Sequence, residues 1–215
     1  MNTSRTGARQ LWVALRTLLL ATIVIGILYP LAVTGVAQLA FPHQANGSVV
    51  TASAGDAPIG SSLIGQSFTD ADGAPLPEWF QSRPSAAGDG YDAAASSGSN
   101  LGPENPELVA AIEERRNAIA AFEGVDPAEV PADALTASAS GLDPHISPAY
   151  ALVQAPRVAA ARGLEAEDVR ALVNSMIQGR DLGYLGEPTV NVLELNRSLA
   201  ALASTEGEAP TDGEG

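Results

Sequence analysis

From Thr17 to Phe41 the chain runs through 25 positions without a charge, filled mainly by Leu, Val, Ile and Ala. As a helix rising about 1.5 Å per residue, such a run reaches about 37 Å, enough to cross a hydrocarbon core of about 30 Å. Lipid cannot satisfy free backbone groups, so a helix is the expected form. Pro30 removes one backbone donor inside the run and predicts a kink. Beyond residue 41 the pattern becomes shorter and mixed. Ser62–Ile64 and Trp79–Phe80 read as strands or loops, and the Gly- and Ser-rich residues 88–103 predict no regular structure. Asn105 followed by Pro106 is a helix start, Leu108, Ile112, Ile119 and Phe122 keep helical spacing, and Gly124 closes the run. Ser147–Pro148 repeats the start signal, with Pro156 predicting two short helices or one kinked helix over 148–162. Val169, Leu172, Val173, Met176 and Ile177 give a further amphipathic helix ended by Gly179, Thr189–Leu193 a strand, and Glu194–Leu202 a last helix. Residues 204–215 hold acids and no large apolar side chain, which predicts a disordered tail.

The fold class expected is therefore a single N-terminal transmembrane helix followed by a mixed α/β (α+β) extracytoplasmic domain. Its parts are a basic head at 1–16, the span at 17–41, a soluble domain at 42–203 and the acidic tail at 204–215. No internal repeat is visible.

Charge sets the orientation. The 215 residues carry 11 basic and 25 acidic side chains, and every basic one is Arg. Arg5, Arg9 and Arg16 precede the apolar run without a single acid, whereas the rest of the chain sets eight Arg against all 25 acids, a balance of −17. Basic residues stay on the cytoplasmic side, so the N-terminus is expected inside and the acidic body outside a bacterial cell membrane, with Trp12 near the inner interface. A cleaved secretory signal has an apolar stretch of about 7–15 residues; this run is longer, and a weak cleavage signal ends at Ala37, so a retained single-pass anchor in membrane lipid is the expectation. Outside, the charge would enrich cations only within about 8 Å at physiological salt.

The same composition excludes several chemistries. Without Lys there is no Walker A loop and no Schiff base. Without Cys there is no thiol catalysis, disulfide or Cys-ligated zinc. An acidic chain is a poor partner for nucleic acid, which also argues against reading QAPRVAAARG at 154–163 as a DNA-reading helix pair. Asp56, Asp70, Asp72, Asp89 and Asp92 are acids that could attract a divalent cation, but they lack the calcium-loop spacing. No metal site is expected. SASGLDPHISP at 138–148 is the densest polar cluster, and Asp143 with His145 suggests a membrane-tethered hydrolase with His as base and Asp as its orienter. No G-x-S-x-G elbow accompanies them, and Asp-Pro-His reads first as a turn whose polar groups cap the backbone. Within the span, Tyr29, Pro30, Thr34, Gly35 and Gln38 are candidates for packing against other membrane helices, Thr34 and Gly35 offering a hydroxyl and a close-approach surface; a tolerated Pro and ordinary interfacial polarity are the alternative reading.

Eight blocks in order carry a resemblance: YPLAVTG at 29–35, FPHQANGS at 41–48, GSSLIGQSF at 60–68, WFQSRPSA at 79–86, SSGSNLGPENP at 96–106, SASGLDPHISP at 138–148, QAPRVAAARG at 154–163 and LGEPTVNVLELN at 185–196. With them the chain resembles the C-subunit family of the Kdp potassium-transporting ATPase, a bacterial P-type pump, from about Leu11 to Leu199. It departs in its Arg-only basic content, its acidic tail and Trp79. The resemblance implies a non-catalytic subunit, because the Asp-Lys-Thr-Gly phosphorylation motif is absent. It implies as partners a channel-like potassium-binding subunit, an ATP-hydrolysing subunit and a small membrane peptide subunit. It implies a catalytic chaperone that raises the ATP affinity of the hydrolytic subunit, with no cofactor of its own and any ATP shared with that subunit. Gln154 is the position at which the resemblance places a nucleotide contact. That contact conflicts with an external body, and the charge asymmetry carries more weight.

Overall fold

In the computed structural model the described residues are 3–52 and 57–206. The chain divides into two compact units, Met1–Val49 and Val50–Gly215.

The first unit is helical. Helix α1 (Thr3–Ile23) passes through a π-helical turn at Val24–Leu28 into α2 (Tyr29–Ala40). Pro30 offers no N–H to the turn before it, and a local widening of the helix next to a proline is one way to absorb the missing bond and the ring. The π turn thus stands where the sequence predicts a kink. Gly7–Ala40 form one continuous helix of 34 residues, apolar and long enough to cross a membrane, with none of its most apolar window buried. Tyr29, Pro30, Thr34 and Gly35 are all exposed on it. Gln38 is also exposed, and its amide is engaged locally: it donates to Asn46 Oδ1 at 3.3 Å and accepts from Asn46 Nδ2 at 3.1 Å. Asn46 Nδ2 also reaches Pro42 O at 2.6 Å, which ties the short helix α3 (Pro42–Ala45) to the end of α2.

At the boundary between the units lies β1 (Val49–Thr51), which pairs with β2 (Pro58–Ser61). A long irregular stretch follows, interrupted by one 3-10 turn at Ala93–Ala95. Then come α4 (Pro106–Glu123), α5 (Ala132–Leu135), β3 (His145–Ile146), α6 (Pro148–Arg162), α7 (Ala166–Ser175), β4 (Val190–Asn191) and α8 (Val192–Glu206). β3 and β4 pair antiparallel, with His145 opposite Asn191 and Ile146 opposite Val190. Among the described residues the strands are two to four residues long, so the body is a helical layer with two small strand pairs. Val158 and Val169 of α6 and α7, Leu195 and Leu199 of α8, and Phe80 from the irregular stretch meet in one core.

The local start signals hold. Asn105 accepts from Glu107 N at 2.8 Å, Ser147 from Tyr150 N at 3.0 Å, and α4 and α6 end at left-handed Gly124 and Gly163. Where the sequence left two forms open, the structure takes one. Ser62–Ile64 and Trp79–Phe80, expected as strands or loops, are loops; β2 ends at Ser61, and residues 79–86 run without ladder partners. Of two short helices or one kinked helix, α6 is a single helix with Pro156 inside it. Other expectations change. α7 stops at Ser175, before Gly179. The expected strand at Thr189–Leu193 shrinks to Val190–Asn191, because Asn191 accepts from Glu194 N at 3.1 Å and starts α8 two residues earlier than predicted. α8 continues to Glu206, so the first residues of the expected tail are helical; residues 207–215 and Asp56 lie outside the described residues.

Candidate functional site

The irregular segment from Pro77 to Pro84 crosses the body without a strand partner, so its backbone polar groups must be satisfied by side chains. Two buried amides do this. Asn196 on α8 accepts from Phe80 N and donates to Phe80 O, both at 2.9 Å. Gln154 on α6 accepts from Gln81 N at 2.6 Å and donates to Gln81 O at 3.1 Å. Each amide copies the donor–acceptor pair that a neighbouring strand would present. The strap is thereby held against α6 and α8 at two successive residues, with Phe80 in the core.

Arg157, one turn along α6 from Gln154, completes the clamp. It donates to Gln154 Oε1 at 2.9 Å, to Trp79 O at 3.0 Å and to Pro77 O. It also pairs with Glu123 at the end of α4 at 2.8 Å, the two side chains being 8% and 1% exposed, and its guanidinium lies 4.5 Å from the centre of the Phe122 ring. Burial pushes the Glu123 carboxyl up, and the hydrogen bond and charge of Arg157 bring it only part of the way back. Arg162, a further turn along, donates to Glu78 O at 2.7 Å and stacks over Trp79 at 4.1 Å.

The other end of the strap meets the 138–148 loop. Arg83 pairs with Asp143 at 3.0 Å, and its Nε is buried without a partner. Tyr91 OH donates to Arg83 O at 2.6 Å, and burial pushes that phenol up to about 12. Gly141 packs so closely here that a Cβ would lie 2.6 Å from Ser97 O and 2.8 Å from Ala87 N, and its φ of +70° is already one that favours glycine.

Asp143 and His145 do come together: His145 Nδ1 and backbone N lie 3.3 and 3.0 Å from Asp143 Oδ1. The serines of the same loop are engaged elsewhere. Ser138 Oγ accepts from Gly141 N at 3.1 Å, Ser140 Oγ from Leu142 N at 3.1 Å, and Ser147 Oγ donates to Asp133 at 2.8 Å. The loop therefore uses its hydroxyls to hold its own turns and the start of α6. Burial would raise the Asp143 carboxyl, but hydrogen bonds from the His145 side chain and backbone and from Arg83, with the Arg83 charge, hold it below the ordinary carboxylate value. A carboxyl depressed in the folded state contributes stability above its unfolded pKa of about 3.9 and loses that contribution as pH falls through the folded value. Thermal melts of Asp143→Asn and the parent chain should therefore differ most at neutral pH and converge below about pH 4. A gap between the melting temperatures that stays constant over that range would contradict this role.

No group of three or more His, Asp or Glu that could hold a metal ion is present among the described residues. Asp70 accepts from Asp72 N and Ala74 N at 2.9 Å each, and Asp92 caps the turn at Ala93–Ala95, so two of the candidate acids serve their own loops. Sequence reasoning did not single out Asn196, Glu123, Arg83 or Gln81. A polar residue closing the apolar run VNVLELN was the one available signal for Asn196.

The profile of the family described as KdpC, K+-transporting ATPase, c chain, matches residues 11–201. The chain belongs to this family. It is 55% identical over 195 residues to the potassium-transporting ATPase KdpC subunit of Kineococcus radiotolerans, covering 91% of this chain and 95% of that one. It is 53% identical to the subunit of the same name from Caulobacter vibrioides over 87% of this chain and 91% of that one. The Mycobacterium tuberculosis subunit is 52% identical, over 90% of this chain and 99% of its own. Membership makes the chain a non-catalytic subunit of a potassium-transporting ATPase, with the other subunits of the pump as its partners and one apolar N-terminal helix to associate it with a membrane.

Proposed function

We propose that the chain is a single-pass accessory subunit that stabilises the assembly of a potassium uptake pump and raises the ATP affinity of its hydrolytic subunit from a distance. The observation that carries this reading is the helix Gly7–Ala40, whose most apolar window has none of its share buried within the chain. Such a surface needs lipid or other membrane helices to cover it. The exposed Thr34 and Gly35 offer a hydroxyl and a close-approach surface for other membrane helices, with Tyr29 and Pro30 exposed on the preceding turn. Arg5, Arg9 and Arg16 before the apolar run support a cytoplasmic N-terminus with the acidic body outside.

In that arrangement cytoplasmic ATP and the body are on opposite sides of the bilayer. Gln154 is 0% exposed and its amide is engaged on both sides, by Gln81 and Arg157. A nucleotide at Gln154 would first have to displace the strap. Any influence on ATP affinity is therefore coupling between separate sites, reciprocal by linkage.

Orientation is the step to test. The chain has no native Cys, so Ser99→Cys, at an exposed position, gives a single thiol. An impermeant maleimide added to intact cells is expected to label it. Labelling that requires permeabilised membranes would put the body inside and remove the argument for remote coupling.

A further inference from the structure

Residues 178–187 are all exposed, yet they form an ordered hairpin. Gln178 and Thr189 exchange backbone hydrogen bonds at 2.8 and 3.0 Å, and Asp181 and Leu185 exchange theirs at 2.9 Å. Arg180 and Glu187 pair across the two arms. The tip turns through Leu182 and Gly183 with φ of +53° and +83°. A left-handed backbone suits Gly183 and disfavours Leu182. The large apolar side chains here face solvent: Leu182 is 81% exposed, Tyr184 69% and Leu185 49%.

We propose that this tip is a docking element that inserts into an apolar recess, rimmed by basic groups, on another subunit of the same pump. Leu and Tyr on a preformed turn lose little freedom on binding, and a clustered apolar patch with a charged rim is the usual form of an interface anchor. Charge selects the occupant. The hairpin carries Asp181 and Glu187 against Arg180, on a body with a balance of −17 and no Lys. Anionic headgroups are bound by basic residues, so a lipid surface repels this body. A second copy of the chain repels it as well. A different protein surface with cationic groups around an apolar centre satisfies both the tip and its rim. The inference gives a specific contact to the proposed stabilisation of the assembly and does not depend on which side of the membrane the body occupies.

The test uses the full-length tagged chain expressed with the other pump subunits. Tyr184→Cys, derivatised with a benzophenone maleimide and irradiated in membranes, is expected to give a tagged product enlarged by the mass of another subunit. The double variant Leu182→Asn/Tyr184→Ser removes the apolar tip while placing a residue that tolerates the left-handed conformation. It should retain the parent melting temperature and recover at least about tenfold less of the other subunits in a detergent pull-down, as loss of a central anchor predicts. Quenching of a fluorophore at position 184 by brominated lipid, without protein crosslinks, would overturn docking in favour of the bilayer. A crosslink only between two copies of this chain, or undiminished recovery by the double variant, would overturn it too. Failure of the unmodified chain to recover any pump subunit would remove assembly and docking together, so the two failures are distinguishable.

Discussion

Replacing Arg157 with alanine is expected to destabilise the body by about 3–5 kcal/mol, the usual consequence of stripping the partner from a buried charge. At about 2–4 °C per kcal/mol for a body of this size, melting should begin about 10 °C lower. The physical reason is concentrated at one guanidinium. It holds Glu123, Gln154 and two strap carbonyls at once, and Glu123 without it is a carboxylate whose side chain is 1% exposed. The Glu123 carboxyl is already raised by burial. A raised carboxyl favours folding most when protonated, and that advantage is lost as pH rises through its folded value. The Arg157→Ala deficit should therefore shrink as pH falls toward the carboxylate range. Adding Glu123→Gln to Arg157→Ala should recover part of the loss at neutral pH, because the orphan is then neutral. The check is thermal circular dichroism of the full chain in detergent at pH 7 and pH 5. Equal deficits at both values, with no recovery in the double variant, would mean that the buried pair is not what holds the strap.

What the sequence revealed depended on how far apart the interacting residues lie. The span, the caps at Asn105 and Ser147 and the closures at Gly124 and Gly163 are properties of a few neighbouring residues, and they were readable as such. The clamp is not local. Asn196 lies 116 residues from Phe80, and Gln154 lies 73 residues from Gln81. Nothing in WFQSRPSA announces that its backbone will be served by side chains rather than by a sheet. The short apolar pieces around it were read as strands or loops, and the strap is a loop in which two amides stand in the place of a ladder. Thr189–Leu193 held only as far as Asn191, for the opposite reason. Its apolar run is neutral between strand and helix, and the choice was made by the side chain of Asn191 bonding to Glu194 N. Asp143 and His145 were picked out for their chemistry and do meet, but the partner that gives the pair its setting is Arg83, 60 residues before Asp143. Gln154 was marked by the family resemblance, and by its spacing from Arg157 on one helix, but its burial and bonding had to be read from the structure.

Gln154→Ala is the second variant with a large expected effect, and it separates two accounts of the same residue. Truncation leaves Gln81 N and Gln81 O, both part-buried, without their partner; a fully buried orphan costs about 1–3 kcal/mol, so a loss of about 2–4 kcal/mol for the two together is expected after partial hydration. Asn196→Ala should behave alike, because it orphans Phe80 N and Phe80 O in the same way. The two residues sit on different helices, α6 and α8, and share only the strap. If the strap transmits the subunit's influence on the pump, both variants should shift the apparent KM for ATP of the assembled complex in the same direction, and a Gln154→Glu chain, which keeps the acceptor but loses the donor, should fall between Gln154→Ala and the parent. A nucleotide contact at Gln154 predicts a different pattern. Gln154→Ala would then change the KM while Asn196→Ala, matched to it in lost stability, would leave it unmoved. Measuring both variants in the same assembled pump decides between a residue that meets ATP and one that holds the backbone of Gln81.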